Sequence, residues 1–553
     1  MPHDAKSISN FLQSNDMKLN LALISAIPNY SHQLTQVRIH WLLNLIEINS
    51  VDSNEKLNLN WSYFDEFTDL MFEHQIRIGF ELMGNPSNYF ADFNYNQQIQ
   101  LWNQLIKSVV ERLINNYGAN YVQKINFETW NEPDHNQFET INFTINSFLN
   151  YYRSSKEAID SFKMALKFGG PAEKCLPINE SDYCWTLMKE MVKSGATDDQ
   201  FLSFHEKGEN FDSNQIMIKE TQVLDHLQQF KLNQINFVNN EADLMKIWSQ
   251  NYDFRADVRY AASAISVLIQ HIDHFVRNRV NPVKLKLISF DNGFLSYYPH
   301  QFTQRTLLAR FQINNTIPNY TDFVIKPIYV GIGLSSLLGT QLVNHDIDSN
   351  DDHLKIVATR TKDGDVVVLI SNSNRFVNET FTDVKKIQLL ANLTGLNLTT
   401  ISEFRFAIYK IDNERNNPYK FWTKHGRSKF PAMDMIEKMN SIAMPTVIGP
   451  KMINETNLIC DENGCQLRIL EKLRYQGISL VAIARKVEEC PKMVKNLRAI
   501  KFNKKKLLMT WKNSNSRFVR TYEIEYSPFL NGSFSKINHN NVIFPFYFHR
   551  GKF

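Results

Sequence analysis

Cysteine is scarce in this 553-residue sequence, five in all, which excludes both a disulfide-built scaffold and a zinc site. Cys175/Cys184 and Cys460/Cys465 are two close pairs in separate regions, without histidines at metal-ligand spacing, and Cys490 stands apart. Each pair has two readings at this level: a local bridge in an oxidising compartment, or ordinary reduced thiols. Long hydrophobic runs are also missing. Nothing approaches the roughly 20 apolar residues of a membrane span, while 43% hydrophobic and 21% charged residues are the proportions of a soluble globular protein. An excess of charge of one sign is lacking too: a net charge of +4 gives too weak a field to gather a polyanion, so no nucleic-acid partner is expected. The dense basic run Lys501 to Lys506 is expected to be a solvated turn between strands. Met1 to Gln13 contain no apolar core of a secretory signal, which predicts a chain that is not exported. Eleven N-x-[ST] sequons between Asn29 and Asn531 point weakly the other way.

What is present is alternation. From about residue 20 to 340, short apolar runs alternate with longer helical patterns, the signature of a parallel sheet with crossover helices. Eight runs are expected as strands: Leu19 to Ile27, Gln36 to Trp41, Ile76 to Gly84, Lys124 to Pro133, Leu166 to Ala172, Phe201 to Gly208, Ile235 to Asp243 and Leu285 to Asn292. Gln97 to Tyr117 and Ala256 to Ile272 space their apolar residues for amphipathic helices. No glycine-rich nucleotide turn follows the first run, so the α/β fold predicted is a closed (β/α)₈ TIM barrel over 15–342. After about residue 345 the pattern changes to strands and tight turns, with Asp363-Gly364 closing a hairpin, and predicts a β-sandwich over 343–487. The segments from about residue 488 look like the first strands of a fibronectin type III module. Only some 65 residues remain for a fold needing about 100, so 488–553 is expected to be incomplete, with the Phe544 to Phe553 tail hard to place.

Barrel enzymes build their sites where the strands end. Here the runs end in His40, in Asn131 and Glu132, in His205 and Lys207, in Glu241 and Asp243, and in Asp291 and Asn292. Glutamates closing the fourth and seventh runs would face each other across the barrel mouth. A retaining glycosidase needs such a pair about 5 to 5.5 Å apart, one protonated to assist the leaving oxygen and one ionised to attack the anomeric carbon. Trp130-Asn131-Glu132-Pro133 at a strand end is the most specific signal, and it assigns Glu132 as acid/base and Glu241 as nucleophile. No metal or cofactor is expected. His40 as a core histidine, Lys207 as a loop charge and Asp291 or Glu241 as a helix cap are the ordinary structural explanations beside these.

The stretches NFETWNEPDH, SFHEKG, NNEAD, FRADVRYAA and SFDNGFLSYYPHQFTQRTLLARFQINNT resemble the α-L-iduronidases of glycoside hydrolase family 39, in order, over nearly the whole chain. The resemblance implies a lysosomal enzyme that releases terminal α-L-iduronate from glycosaminoglycans, dermatan and heparan sulfate, with retention and without a metal. It implies that His40, Asn131, Lys207, Asp291, Arg305 and Trp248 contact the sugar, Arg305 gripping the uronate carboxylate by two parallel hydrogen bonds and Lys207 adding a point charge. A β-xylosidase or another uronidase on the same barrel, and an inactive carbohydrate-binding protein, are the alternatives. The sequence departs from the family at Ile247, where the family has glycine, and is expected to lack the family's leader, first β segment and C-terminal end.

Overall fold

The computed structural model describes residues 14–27, 36–135, 140–179, 182–195, 199–229, 235–247, 250–277, 284–313, 320–348, 351–380, 382–392, 403–461, 464–485, 493–503, 506–512, 521–529, 531–538 and 542–550. The expected positions Trp248 and Cys490 lie outside them.

Seven of the eight expected runs form one parallel sheet in sequence order: β1 (Val37–Ile39), β2 (Ile78–Glu81), β3 (Asn126–Glu128), β4 (Lys167–Glu173), β5 (Gln200–Phe204), β6 (Asn236–Asn239) and β7 (Lys284–Ile288). Parallel neighbours need a crossover. A helix lies in each interval, after α1 (Asn15–Ser25) at the chain start: α2 (Ser62–Glu73), α3 (Asn96–Tyr117), α4 (Ile145–Asp160), α5 (Asp182–Lys193), α6 (Gln215–Gln228) and α7 (Val258–His271). In α3 the residues at three- and four-residue spacing, Leu101, Trp102, Leu105, Ile106, Val109, Val110 and Leu113, are all buried, and each contributes about 1.5–3 kcal/mol by leaving water if large. Strand interiors such as Phe80, Phe127 and Phe237 are buried within the same core as these helices. Gly118 ends α3 in the left-handed region at φ 83, where no Cβ strain arises.

The expected first strand, Leu19 to Ile27, is instead the helix α1. The Ser14 side chain accepts from the Met17 amide as an N-cap, and Asp16 lies in the first turn, where the helix dipole favours an anion. Met17, Leu19, Leu21, Ala22 and Leu23 are buried together, so the run is apolar nearly all round, and periodicity cannot separate a buried helix from a buried strand. Asn20 Nδ2 donates to the Phe294 carbonyl at 2.5 Å, and the Leu23 carbonyl accepts from Tyr329, which fixes the helix near the end of the parallel sheet. Among the described residues β1 and β7 remain the two edges of that sheet.

The predicted hairpin is present as antiparallel strands Leu354–Arg360 and Val366–Asn372, with Gly364 at φ 88 in its turn. They belong to a six-stranded sheet, completed by Gln341–Val343, Gly477–Arg485, Phe404–Asp412 and Thr446–Met452. Ile356, Ile370, Phe406, Ile408 and Val481 from this sheet meet Ile387, Leu467, Ile469 and Leu473 from a three-stranded sheet (Val384–Asn392, Gly464–Arg474, Leu458–Asp461) in one core. The other face, with Val357, Leu369 and Leu480, packs on Ala261 and Ile265 of α7. Towards the end of the chain, Lys495–Asn503, Lys506–Lys512 and Phe546–Arg550 form a further three-stranded sheet. The tail that was hard to place thus supplies the strand beside Lys506–Lys512, and Phe544 and Phe546 stack edge-on against Tyr329.

One expectation fails inside this sheet. Lys506 is not a solvated turn residue but is buried, pairs with buried Asp322 and lies 4.4 Å from the centre of the Phe548 ring. A charge run on sequence does not show that one member points inward to a carboxylate from a distant strand. Both close cysteine pairs are bridged, Cys175 to Cys184 and Cys460 to Cys465.

Candidate active site

A cavity of about 780 Å³ is lined by Arg38, His40, Glu132, Lys207, Asn240, Glu241, Asp291 and Arg305, from in or beyond strands β1, β3, β5, β6 and β7, and by apolar residues of α1 and α7. Six of the expected site residues therefore share one cavity, and Asn131 joins them through Arg38. Carboxylate oxygens of Glu132 and Glu241 and a ring nitrogen of His205 all lie within 4.8 Å of one another.

Glu132 sits four residues beyond the β3 end in a left-handed turn at φ 44, and its amide donates to the carbonyl of Ala172, itself at φ 58 at an irregularity within β4. Such a conformation costs a non-glycine residue about 1–3 kcal/mol and is kept only where surrounding contacts over-determine it. Here it aims the carboxyl at His205, whose Nδ1 is 3.0 Å from Glu132 Oε1 and 3.7 Å from Glu241 Oε2. Lys207 and Glu241 are brought together by two loops in close contact. Gly208 donates to the Asp243 carbonyl at 2.9 Å, and a Cβ on Gly208 would collide with the Leu244 carbonyl, so this crossing requires glycine.

Glu241 is buried and ringed by cations: Lys207 Nζ is 2.5 Å from Oε2, and Arg38 Nη1 is 3.2 Å from Oε1. Burial pushes its carboxyl up, but His205, Lys207, Arg38 and His40 more than offset this and hold it well below the ordinary carboxylate value. Burial also pushes Glu132 up, and the Glu241 charge adds to that. The hydrogen bond from His205, with Lys207, outweighs both and leaves Glu132 below its ordinary value, though less far than Glu241. Glu241 is thus the member of the pair most firmly kept as an anion.

Sequence reasoning missed the residue that organises this floor. Arg38 in β1 is hydrogen-bonded to Glu128 Oε2 at 2.6 Å, to Glu241 at 3.2 Å and to Asn131 Oδ1 at 2.8 Å, and its Nε is 2.8 Å from Glu81 Oε1. Burial lowers its pKa, but Glu128, Glu81 and Glu241 raise it above the ordinary arginine value. Glu81 also accepts from His40 Nδ1 at 2.6 Å, and Asn240 donates to Glu128. A charged residue inside each apolar run (Arg38, Glu81, Glu128) was the available signal, because a charge in a strand core must find a partner.

Arg305 differs from the open fork expected of it. Its Nη1 is 3.1 Å from Asp243 and its Nη2 is 2.5 Å from Asp291, while Nε has no partner among the described residues. Asp243 in turn accepts from Arg255 at 2.6 Å and from Tyr260 at 2.9 Å. A buried guanidinium needs such counter-charges. Asp291 bridges the two cations, since Lys207 Nζ is 3.6 Å from the same oxygen. The Glu132, His205 and Glu241 atoms are close enough to share a metal ion. The donor set fits one poorly, because Lys207 and Arg38 already occupy both oxygens of Glu241.

The arrangement brings two carboxyls to within 4.8 Å of each other, Glu241 the more firmly ionised, with Arg38 and Lys207 beside it. Comparison with known proteins accords with it. The family model for glycosyl hydrolases family 39 matches residues 9–457. The chain is 33% identical to the α-L-iduronidase of Mus musculus, over 95% of this chain and 84% of that protein, and 31% identical to that of Homo sapiens, over 95% and 81%. Its fold matches the solved structure of a bacterial orthologue of human α-L-iduronidase with a TM-score of 0.83 at 22% identity, covering 98% of this chain and 91% of that one. A β-xylosidase from Caulobacter crescentus has the same fold at a TM-score of 0.61 and 14% identity, covering 87% and 94%. The chain with these opposed carboxyls is a member of glycoside hydrolase family 39.

Proposed function

We propose that this protein is a retaining α-L-iduronidase acting on terminal iduronate of glycosaminoglycan chains. The observation that carries the mechanism is the separation of the two carboxyls. Oxygens within 4.8 Å of each other suit a double displacement and leave no room for the intervening water of an inverting enzyme, which needs about 6.5–9.5 Å. In this reading Glu241 attacks the anomeric carbon while Glu132 protonates the leaving oxygen. Glu132 then takes a proton from water as the glycosyl ester is hydrolysed. Because Glu132 is held below its ordinary value, it carries its proton only in acid, and turnover is expected to rise as pH falls.

The uronate specificity rests on Lys207 and the buried Arg305, two cations joined through Asp291 at the cavity wall. The substrate carboxylate would meet the partly exposed Lys207 ammonium, with Arg305 adding its charge from behind Asp291, and a neutral pentose would need neither. Asn131, fixed by Arg38, would face the sugar 2-hydroxyl. The unit boundaries 15–342, 343–487 and 488–553, closure of the parallel sheet as an eight-stranded barrel, and a type III character for the last sheet belong to the same reading. So does delivery to an oxidising route ending in the lysosome, which the two disulfides favour.

Hydrolysis of fluorogenic iduronide, glucuronide and xyloside by the purified protein at about pH 4 to 5 tests this proposal. A preference for iduronide is expected. A preference for xyloside would retire the uronate reading, and a folded protein inert towards all three would favour the binding-protein alternative.

A further inference from the structure

Behind the nucleophile lies a buried chain of polar side chains that the proposed mechanism does not use, and its far end, His271, is among the residues lining the same cavity. Asn239, the last residue of β6, is fully buried and uses its whole amide. Its Oδ1 accepts from the backbone amides of Glu206 (3.3 Å) and Glu241 (3.4 Å), and its Nδ2 donates to the Glu206 carbonyl (2.9 Å) and to Glu220 Oε1 (2.6 Å). One side chain therefore ties the end of β5, which carries His205 and Lys207, to the end of β6, which carries Glu241. Glu220, from α6, is itself buried, and its other oxygen is 2.6 Å from Nε2 of His271 on α7. The opposite ring nitrogen, Nδ1, is 2.6 Å from the Val267 carbonyl. A carbonyl only accepts, so Nδ1 carries a proton, and a second proton is needed between Nε2 and Glu220 to prevent two lone pairs from facing each other.

We propose that Asn239, Glu220 and His271 form a proton-dependent brace that positions Glu241 against His205 and Lys207, acting through the backbone of β6 without touching the sugar. The inference rests on the reading of Glu241 as nucleophile. It makes these three positioning residues. The groups that face His271 are Glu220 from α6, the Val267 carbonyl from its own helix and the Phe275 ring from the turn that follows. In that turn Asp273 pairs with Arg277, and His274 meets Phe275. Lys286 of β7 lines the same cavity but acts on Lys167, and Lys219 of α6 reaches Glu209 and the Lys207 carbonyl. The Glu220 charge and hydrogen bond outweigh the burial that opposes protonation and raise the His271 pKa above its ordinary value. The brace is then intact in acid and is lost as pH rises through the folded-state pKa of His271.

The test compares Glu220→Leu with Glu220→Gln. Leucine removes the acceptor that Asn239 and His271 share, and kcat per active site, counted by titration with a covalent inhibitor, is expected to fall about 10- to 100-fold with KM within about threefold. Glutamine keeps an acceptor for Asn239 and offers a neutral donor to His271. It is expected to restore kcat to within about threefold and to flatten the fall of the melting temperature at rising pH. Equal kcat in the two variants, or identical melting profiles for wild type and Glu220→Gln, overturns the brace. If Glu220→Leu does not fold, Asn239→Ser is read in its place by the same kcat and KM criterion. Glu241→Gln assayed alongside separates the failures: activity surviving there removes the nucleophile reading, whereas activity lost there and unchanged in Glu220→Leu removes only the brace.

Discussion

Glu206 stands between His205 and Lys207 in the chain, and its carboxyl points the other way, into the disulfide loop that follows β4. It is 4% exposed, and its Oε1 accepts from the Cys175 amide at 3.1 Å. Burial pushes the carboxyl up to about 7, against the opposing pull of the Cys175 amide, Lys219, the Leu176 amide and His205. An unfolded glutamate ionises near 4.3. Between those values the folded protein keeps the proton while the unfolded chain releases it, so stability that is complete below about pH 4 is lost as pH rises through 7. The interval is worth about 4 kcal/mol, or about 6 °C for a cooperative unit of roughly 300 residues. Glu206→Gln copies the neutral acid, keeps the acceptor for Cys175 and cannot ionise. Thermal unfolding of wild type and variant at about pH 4.5 and 7.5, followed by circular dichroism, should show the two nearly equal in acid and the variant more stable by that amount near neutrality. Glu173, raised to about 10, and His271 tilt both curves in the same direction, so only the difference between the proteins is informative. Parallel curves would refute the claim that Glu206 is protonated in the folded state.

Glu241→Gln should abolish turnover, and Glu132→Ala should slow it by about 10²- to 10⁴-fold, with external azide restoring the latter on an activated substrate. Undiminished activity in Glu241→Gln would remove that residue from the mechanism. Lys506→Met should destabilise the protein by about 3–5 kcal/mol, because it leaves the buried Asp322 carboxylate uncompensated; a urea midpoint unchanged from wild type would show that the pair is dispensable. Ile247 is 61% exposed in a left-handed conformation at φ 60, which costs a β-branched residue about 1–2 kcal/mol. Ile247→Gly should recover part of that as a small rise in melting temperature, and a fall would mean that the side chain makes contacts worth more than the strain. Replacing Cys175 and Cys184 together by serine should cost about 2–3 kcal/mol for the short loop they close, measurable in the same denaturation series.

Much of the α/β part was legible because its signal is doubly redundant. Each of β2 to β6 is a short apolar run bounded by turn residues, and each is followed by a helix whose buried face repeats at three or four residues, as Leu101 to Leu113 do in α3. The start of the chain lacks that redundancy. Leu19 to Ile27 is apolar on nearly every side, and a strand and a buried helix make the same demand on such a run. What selects the helix is local and distant together: Ser14 capping the Met17 amide, and Asn20 and the Leu23 carbonyl meeting Phe294 and Tyr329 some 270 or more positions away. The last sheet was obscure for a related reason. Phe546–Arg550 becomes a strand only by pairing with Lys506–Lys512, a partner that no local pattern names.

In the site, what could be read were the strand ends, because a parallel α/β sheet exposes its chemistry there and a polar residue closing an apolar run is conspicuous. That rule finds Glu132, Lys207, Glu241 and Asp291. It passes over Arg38, since an arginine in the middle of QVRIHW looks like the solvent-facing member of an alternating strand. Yet the three carboxylates that surround its guanidinium, Glu81, Glu128 and Glu241, come from the ends of β2 and β3 and from beyond β6. Without Arg38, the buried Glu241 carboxyl would keep His205 and Lys207 beside it but lose one of the cations that offset its burial. The charge on Glu241, to which the strand ends point, is thus supported in part by a cation in the strand interior to which they do not.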